Sequence, residues 1–175
     1  MATTPPTSSI RANPITAQGL AALRVRYDHL LGTERPAIVE IVSWAAGNGD
    51  RSENGDYLYG RKRMREIDRE LAHLLRRMKA AQVIEPGDQP DKTRVWFGAT
   101  VTMVDEDDCE KEVTLVGDDE QDPARGLIGW SAPITRALRG AALGDVRKVR
   151  LPAGEKAWEV LAIAYPASAG QRDRD

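Results

Sequence analysis

The chain has 175 residues, with 25 basic and 27 acidic side chains, a net charge of −2 and 41% hydrophobic residues. This length allows one ordinary domain or two small ones, and the nearly balanced charge excludes a polycationic nucleic-acid-binding protein of the histone type. No apolar run approaches the roughly 18 residues of a membrane span. Residues 1–9 lack the apolar core of a signal peptide, so a cytoplasmic location is expected.

Proline and glycine divide the chain near its middle. Residues 85–90 contain two prolines and a glycine, which end any helix. We therefore expect a helical region at 14–85 and a second region at 91–166, with unstructured tails at 1–13 and 167–175. The single cysteine, Cys109, excludes an internal disulfide.

The helical region carries two apolar patterns with the alternating spacings of three and four residues that are typical of a coiled-coil seam. The first pattern consists of Leu20, Leu23, Tyr27, Leu30, Glu34, Ala37, Ile41 and Trp44. The second consists of Tyr57, Gly60, Met64, Ile67, Leu71, Leu74 and Met78. Because Pro36 lies inside the first pattern, it should kink or break that helix locally.

A short turn joins the two predicted helices. Residues 47–50 read Gly-Asn-Gly-Asp, a run of turn formers, so the helices should be antiparallel neighbours. The expected structure is an antiparallel coiled-coil hairpin. The Trp44 ring is expected to fill the space beside Gly60, which has no side chain of its own.

The second region changes to the pattern of β-strands. Strands are predicted at 95–103, 112–116, 146–151 and 157–163, because these segments are short, rich in β-branched and aromatic residues and bounded by Gly, Asp and Pro. Residues 133–138 should form one short helix. The acidic runs at 105–108 and 117–120 are interpreted as solvated turns. The predicted fold class is α+β, a helical hairpin followed by a small antiparallel sheet with one helix.

Two carboxylates, Asp50 and Glu53, follow the predicted turn and have two interpretations. They fit a capping box, in which Asp50 caps the second helix and Glu53 reaches back to the Asp50 amide. They also fit a weak Mg²⁺ site, because Mg²⁺ takes hard oxygen ligands and is often held by one or two carboxylates, with the remaining ligands from elsewhere. The spacing leaves both interpretations open.

The second predicted helix is basic. Between Tyr57 and Lys79 it carries eight Lys/Arg and three Asp/Glu. At about 100° per residue, Arg65, Arg69 and Arg76 fall on one narrow face, with Arg61 beside it and Lys62 further round. This face is interpreted either as a solvated coiled-coil surface or as a contact for nucleic-acid phosphates.

At this point the residues resemble a known family. The segments Trp44-Ala45-Ala46, Gly49 to Asn54, Asp56-Tyr57 and Lys62 to Arg69 resemble the bacterial transcript-cleavage factors GreA and GreB. Arg51 and the basic second helix favour the GreB branch. In the second region, residues 131–138 and 152–155 resemble the family's C-terminal domain. The resemblance extends from about Ile15 to Tyr165.

The resemblance implies a fold and a function. The second region should resemble FK506-binding proteins and dock at the rim of the RNA polymerase secondary channel, while the coiled coil reaches the active site. Asp50 and Glu53 should hold a catalytic Mg²⁺ jointly with the polymerase, and Ser52 should help orient the acids or the attacking water. The polymerase then cleaves backtracked RNA, so the factor is not itself the enzyme. Arg61, Lys62, Arg65 and Arg69 should contact the 3′ segment of the nascent RNA.

The family's docking loop matches Ser131, Ala132 and Pro133, with two departures. Ser131 stands where the GreB pattern has an acid, and Ala132 stands where relatives often have serine. Two alternative functions remain: a channel-binding modulator that does not stimulate cleavage, and a prolyl isomerase, which is suggested only by analogy of fold. A monomer is expected, because the apolar seam is satisfied within the hairpin.

Overall fold

The computed structural model describes residues 12–47, 54–152 and 154–166. They form two compact units. The described part of the first unit is residues 20–47 and 54–81, and that of the second is residues 12–19, 82–152 and 154–166. Most of the two predicted tails lies outside the described residues, although the first strand already begins at Asn13.

The hairpin has a first arm of three consecutive helical segments and a second arm of one. The first arm consists of α1 (Ala17–His29), a π-helical segment (Leu30–Glu34) and α2 (Arg35–Ala46). The second arm is α3 (Gly55–Lys79). The predicted helical hairpin is thus confirmed.

The apolar pattern of α3 matches its buried side closely. Its buried residues are Gly60, Ile67 and Leu74. The other four predicted positions, Tyr57, Met64, Leu71 and Met78, are all half-buried. Together with Leu30 of the first arm, Ile67 and Leu74 form the apolar core of the hairpin. The sequence therefore predicts the packed side of α3 correctly along its whole length.

The first arm departs from α-helical geometry next to Pro36. The Arg35 amide donates to the carbonyl of Leu30, five residues back, where an α-helix would use the residue four back. Proline has no amide hydrogen, and its ring clashes with the carbonyl four residues before it in a regular helix. The wider π turn accommodates this position, so the irregularity predicted at Pro36 is local and the chain stays helical.

The π segment shifts the packed side of α2 by one residue. The predicted positions Ala37, Ile41 and Trp44 are all exposed, and 66% of Trp44 is accessible. Their C-terminal neighbours are packed instead: Ile38 and Val42 are half-buried and Ala45 is fully buried. A π turn holds one more residue than an α turn, which accounts for this shift.

The shift also changes what fills the space at Gly60. A Cβ atom added to Gly60 would lie 2.6 Å from Val42 Cγ2. Val42 therefore occupies the space that was predicted for the Trp44 ring, and that prediction is wrong. The same close approach explains why a residue without a side chain suits this position.

A charged network lies at the end of the π segment. Glu34 Oε1 and Oε2 accept hydrogen bonds from Arg26 (2.6 Å) and from Arg63 of α3 (2.7 Å). Arg26 also donates from Nε to Glu70 at 2.8 Å. The hydrogen bond from Arg26 and then that from Arg63 lower the pKa of Glu34 below its ordinary value. The one acidic member of the predicted apolar pattern is thus paired across the hairpin.

The second unit is built around a five-stranded sheet. Its strands are β3 (Thr100–Asp105), β4 (Glu110–Val116), β5 (Leu127–Gly129), β6 (Val146–Leu151) and β7 (Gly154–Ala164), in the order β5-β4-β3-β7-β6. All neighbouring strands are antiparallel except β4 and β5. Two further short strands, β1 (Asn13–Ile15) and β2 (Ala81–Val83), form a separate pair.

One short helix, α4 (Pro133–Leu138), occupies the predicted position. The fold class is therefore α+β with a mostly antiparallel sheet, as predicted.

The strand predicted at 95–103 begins later, at Thr100 of β3. Residues 95–99 are largely buried but precede β3 instead of forming part of it. Gly98 has φ +82°, and a Cβ there would lie 2.3 Å from Pro86.

The acidic runs were predicted to be solvated turns, which holds for the exposed residues 106–108 but not for Asp105 and Glu120. Asp105 occupies an inward-facing position of β3 and is buried. Its carboxylate is paired with Lys156 Nζ at 2.5 Å. This hydrogen bond, followed by one from the Cys109 amide, lowers the pKa of Asp105. In the second run, the Glu120 carboxylate accepts from the amides of Thr16 and Gly117.

Candidate functional site at the hairpin

The start of α3 tests the capping interpretation of the turn acids. The cap of α3 is Asn54, whose side-chain oxygen accepts from the Tyr57 amide at 3.1 Å. The Asn54 amide group also donates to the Ala45 carbonyl at 2.8 Å, which connects the end of α2 to the start of α3. The predicted capping box, with Asp50 as the cap of this helix, is therefore wrong.

The three predicted catalytic residues lie outside the described residues. Asp50, Ser52 and Glu53 belong to residues 48–53, between the described ends at Gly47 and Asn54. The metal site predicted at Asp50 and Glu53 thus remains a prediction. Within the described ranges, no group of three or more His, Cys, Asp or Glu side chains is arranged to hold a metal ion.

Three of the four predicted RNA-contacting residues lie together on α3. Lys62, Arg65 and Arg69 line one shallow, open depression with Asp68. Arg69 Nε donates to the Arg65 carbonyl at 3.1 Å. These three cations are exposed, as a surface for phosphates requires. We call Lys62, Arg65 and Arg69 the basic face.

The other two charged residues near this face have different surroundings. Arg61 is placed over the Tyr57 ring, with its guanidinium carbon 5.9 Å from the ring centre. Asp68 pairs with Arg35 of α2, Nε to Oδ1, at 2.9 Å. The helical spacing predicted Arg65 and Arg69 on one face with Lys62 further round, but it gave no indication that Asp68 pairs with the other arm.

The predicted docking loop lies in the second unit before α4. The Ser131 amide donates to Asp118 Oδ1 at 2.8 Å, and the Ala132 amide donates to the Gly129 carbonyl at 3.0 Å. Pro133 is the first residue of α4, a position where proline's missing amide hydrogen costs nothing. Ser131 and Pro133 are exposed, and Ala132 is half-buried. Asp118 was missed by the sequence reasoning, because it comes from a distant loop.

An aromatic residue and an arginine support this loop. The Arg139 guanidinium carbon lies 3.9 Å from the centre of the Trp130 ring. Burial lowers the pKa of Arg139 below its ordinary value. Phe97 meets Trp130 edge to face, with ring centres 5.5 Å apart. The start of the loop is thus held by Asp118 at Ser131 and by the Trp130 cluster.

Two features define the class of this protein: a helical hairpin with a basic face on its second arm, and a separate unit with a mostly antiparallel sheet. In the described part of the chain, no helix is long and apolar enough to cross a membrane. Comparisons with known proteins identify the family.

Two family models match consecutive parts of the chain. Residues 13–83 match the model described as transcription elongation factor, N-terminal, and residues 89–165 match transcription elongation factor, GreA/GreB, C-term. The chain therefore belongs to the GreA/GreB family of transcription elongation factors. The resemblance predicted from the turn motif is confirmed.

Individual relatives agree with this assignment. The chain is 47% identical to transcription elongation factor GreB of Neisseria meningitidis serogroup B, over 87% of this chain and 94% of the relative. It is 44% identical to GreB of Pseudomonas aeruginosa, over 87% and 90%. It is 37% identical to GreA of Verminephrobacter eiseniae, over 87% and 97%.

Among solved structures, GreA factor homolog 1 of Thermus thermophilus is 19% identical over 88% of this chain and 99% of its own, with a TM-score of 0.42.

Proposed function

We propose that this chain enters the secondary channel of RNA polymerase and stimulates Mg²⁺-dependent cleavage of backtracked nascent RNA, so that arrested complexes resume elongation. The polymerase is the nuclease in this proposal, and the chain donates the carboxylates of Asp50 and Glu53. The observation that carries it is the match of both parts of the chain to the elongation-factor family models. Because Asn54 caps α3 by accepting from the Tyr57 amide, Asp50 is not required as the cap of that helix.

The donor set suits the metal. Asp50 and Glu53 offer hard carboxylate oxygens, which Mg²⁺ prefers, and two carboxylates are a usual protein contribution to a site completed by another macromolecule. The bound ion would supply activation of a water molecule and charge neutralisation at the cleaved phosphodiester. The isolated chain is not expected to hold Mg²⁺ stably. Ser52, between the two acids, would help to orient them.

The hairpin has dimensions and charges that fit this role. The 25 residues of α3 extend about 37 Å at 1.5 Å per residue, which allows a narrow rod to enter a channel that excludes a globular domain. The basic face would bind the phosphates of the extruded RNA segment. Ser131, Ala132 and Pro133 would contact the channel rim, and Asp118 would fix the backbone of that loop.

The decisive experiment uses a stalled, backtracked polymerase complex with end-labelled RNA and Mg²⁺. The wild-type chain should shorten the transcript. The Asp50→Ala, Glu53→Ala double variant should slow cleavage about 100-fold or more, since general acid–base and positioning effects of this kind contribute at least that much, while still competing for the polymerase. Asp56→Ala is a matched control, because it removes an exposed carboxylate of the first turn of α3 and should leave cleavage nearly unchanged.

The same assay tests the alternative function. If the wild-type chain binds the complex and leaves the RNA intact, the chain is a channel-binding modulator. If Asp56→Ala slows cleavage as strongly as the double variant, a general loss of negative charge explains the effect, and the assigned roles of Asp50 and Glu53 are wrong.

A further inference from the structure

The start of α1 carries an incomplete capping box. Thr16 Oγ1 accepts from the Gly19 amide at 3.0 Å, so the Thr16 side chain caps the helix that begins at Ala17. In a complete capping box the third helical residue is Glu or Gln, and its side chain accepts from the amide of the cap residue. In α1 this third position is Gly19, which has no side chain that could accept from the Thr16 amide.

A glutamate from a distant loop supplies the missing acceptor. Glu120 Oε2 accepts from the Thr16 amide at 3.0 Å, 104 residues apart in the chain, and Glu120 Oε1 accepts from the Thr16 hydroxyl. Glu120 Oε2 also accepts from the Gly117 amide at 3.1 Å. A Cβ added to Gly19 would lie 2.3 Å from Glu120 Cδ. Glycine at this position therefore leaves the space that the Glu120 carboxylate fills.

The turn at 117–120, which we call the acidic turn, makes two further contacts. Asp119 Oδ2 accepts from the Asn13 side-chain amide at 2.8 Å, next to the start of β1. Asp118 Oδ1 accepts from the Ser131 amide at 2.8 Å. The acidic turn thus holds both the segment that leads into the first arm and the predicted docking loop.

The helix α1 continues from this turn into the hairpin. Residues 17–19 belong to the second unit with the acidic turn, and α1 continues from Leu20 in the first unit. Each turn of an α-helix is hydrogen-bonded to the next. A constraint on the first turn of α1 is therefore passed along the helix towards the hairpin.

We propose that Glu120 is a positioning residue for transcript cleavage, which ties the first turn of α1 to the docking loop through the acidic turn. This inference rests on the proposed function, in which the docking loop contacts the polymerase and the hairpin delivers Asp50 and Glu53. Loosening the first turn of α1 should leave docking intact and lower the fraction of bound chains in which both acids are in place. The loss should therefore appear in the cleavage rate at saturation, because misplaced groups slow a reaction even when binding is unchanged.

A titration of backtracked polymerase complexes with the full chain measures docking and cleavage separately. Glu120→Ala should lower the cleavage rate at saturation about tenfold and leave the concentration for half-maximal cleavage nearly unchanged. Glu120→Gln keeps one acceptor oxygen and should lose less. Glu112→Gln is the matched control, since Glu112 is an exposed carboxylate of β4, and it should change neither value.

A second variant separates positioning from capping of the helix. In the Gly19→Glu, Glu120→Ala double variant, the new side chain can accept from the Thr16 amide within the box. Space for it is available, because the three atoms nearest to a Cβ at Gly19 all belong to Glu120. The cap is then restored without the tie to the acidic turn. The melting temperature should return towards that of the wild type, whereas cleavage at saturation should stay slow.

The outcomes distinguish this inference from the function on which it rests. A wild-type cleavage rate in the double variant would show that Glu120 acts only as a helix cap, which overturns the proposal. A wild-type rate in Glu120→Ala overturns it as well, and in both cases the proposed function stands. If the wild-type chain itself leaves the RNA intact, the proposed function fails and this inference fails with it.

Discussion

The two arms of the hairpin have the same apolar spacing in the sequence but differ in structure. In α3 the predicted positions are buried or half-buried from Tyr57 to Met78. In the first arm the prediction holds as far as Glu34, and beyond it every predicted position is exposed. The arms differ because only the first contains a proline and the π turn that precedes it.

This difference shows what an apolar repeat can and cannot specify. A repeat gives the side of a helix only while the number of residues per turn is constant. One extra residue in the turn at Leu30–Glu34 moves the packed line from Ile41 and Trp44 to Val42 and Ala45. The displaced residues, Ile41 and Trp44, are exposed.

The largest expected effect contrasts one isoleucine from each arm. Ile67 of α3 is fully buried, whereas Ile41 of α2 is 42% exposed. Ile67→Ala should therefore destabilise the hairpin by about 2–5 kcal/mol, from lost burial and the cavity left behind. Ile41→Ala should cost less than about 1 kcal/mol, as exposed substitutions usually do. Urea unfolding followed by far-ultraviolet circular dichroism measures both.

The contrast matters because the sequence repeat alone predicts similar losses for the two variants. Equal destabilisation would mean that Ile41 packs in the seam and that the register shift after the π segment is absent. Ile38→Ala serves as the positive control in the first arm, since Ile38 is half-buried next to the Leu30 cluster.

The sequence predicted those parts of the molecule that depend on local periodicity. It predicted α3, the short helix at Pro133–Leu138 and the shared face of Arg65 and Arg69, because each follows from spacing within one element. It missed β5, a three-residue strand that pairs in parallel with β4, since so short a segment carries little pattern. It also missed Asp118, whose contact with Ser131 joins loops that only the folded sheet brings together.

The turn acids, Asp50 and Glu53, also show a limit of prediction from sequence. Their spacing fits both a helix cap and a metal site, so composition and distance along the chain leave the choice open. The capping interpretation depends on where α3 begins, and the observed cap is Asn54, four residues after Asp50. Helix boundaries are the least certain part of any prediction from sequence, so this step required the structure.

A smaller effect is expected at the closest approach of the two arms. Gly60→Ala places a Cβ 2.6 Å from Val42 Cγ2, and a β-branched side chain has little freedom to move aside. Overpacking of this kind costs about 1–3 kcal/mol, which exceeds the roughly 1 kcal/mol that alanine gains over glycine in a helix. The variant should therefore unfold at lower urea concentration than the wild type.

A second substitution tests the cause of this effect. In the Gly60→Ala, Val42→Ala double variant the clash is relieved, so the combined cost should be smaller than the sum of the two single costs. Gly55→Ala is the matched control, because nothing lies within 4 Å of a Cβ added there. Additive costs would show that Val42 is not the residue that fills the space beside Gly60.

The smallest effect concerns the charged network where the two arms differ. The arginines at Glu34 lower its pKa below the ordinary value of 4.5, so the ionised form is favoured by folding. Its contribution to stability is present above about pH 4.5 and is lost as the pH falls through the lowered pKa of the folded state. The Glu34→Gln variant should therefore have a lower melting temperature than the wild type at neutral pH. The difference in melting temperature should become smaller as the pH is lowered. Thermal melts across this pH range measure it, with Glu40→Gln, an exposed carboxylate of the same arm, as control. A melting difference that stays constant with pH would assign the loss to packing of the side chain instead of to its charge.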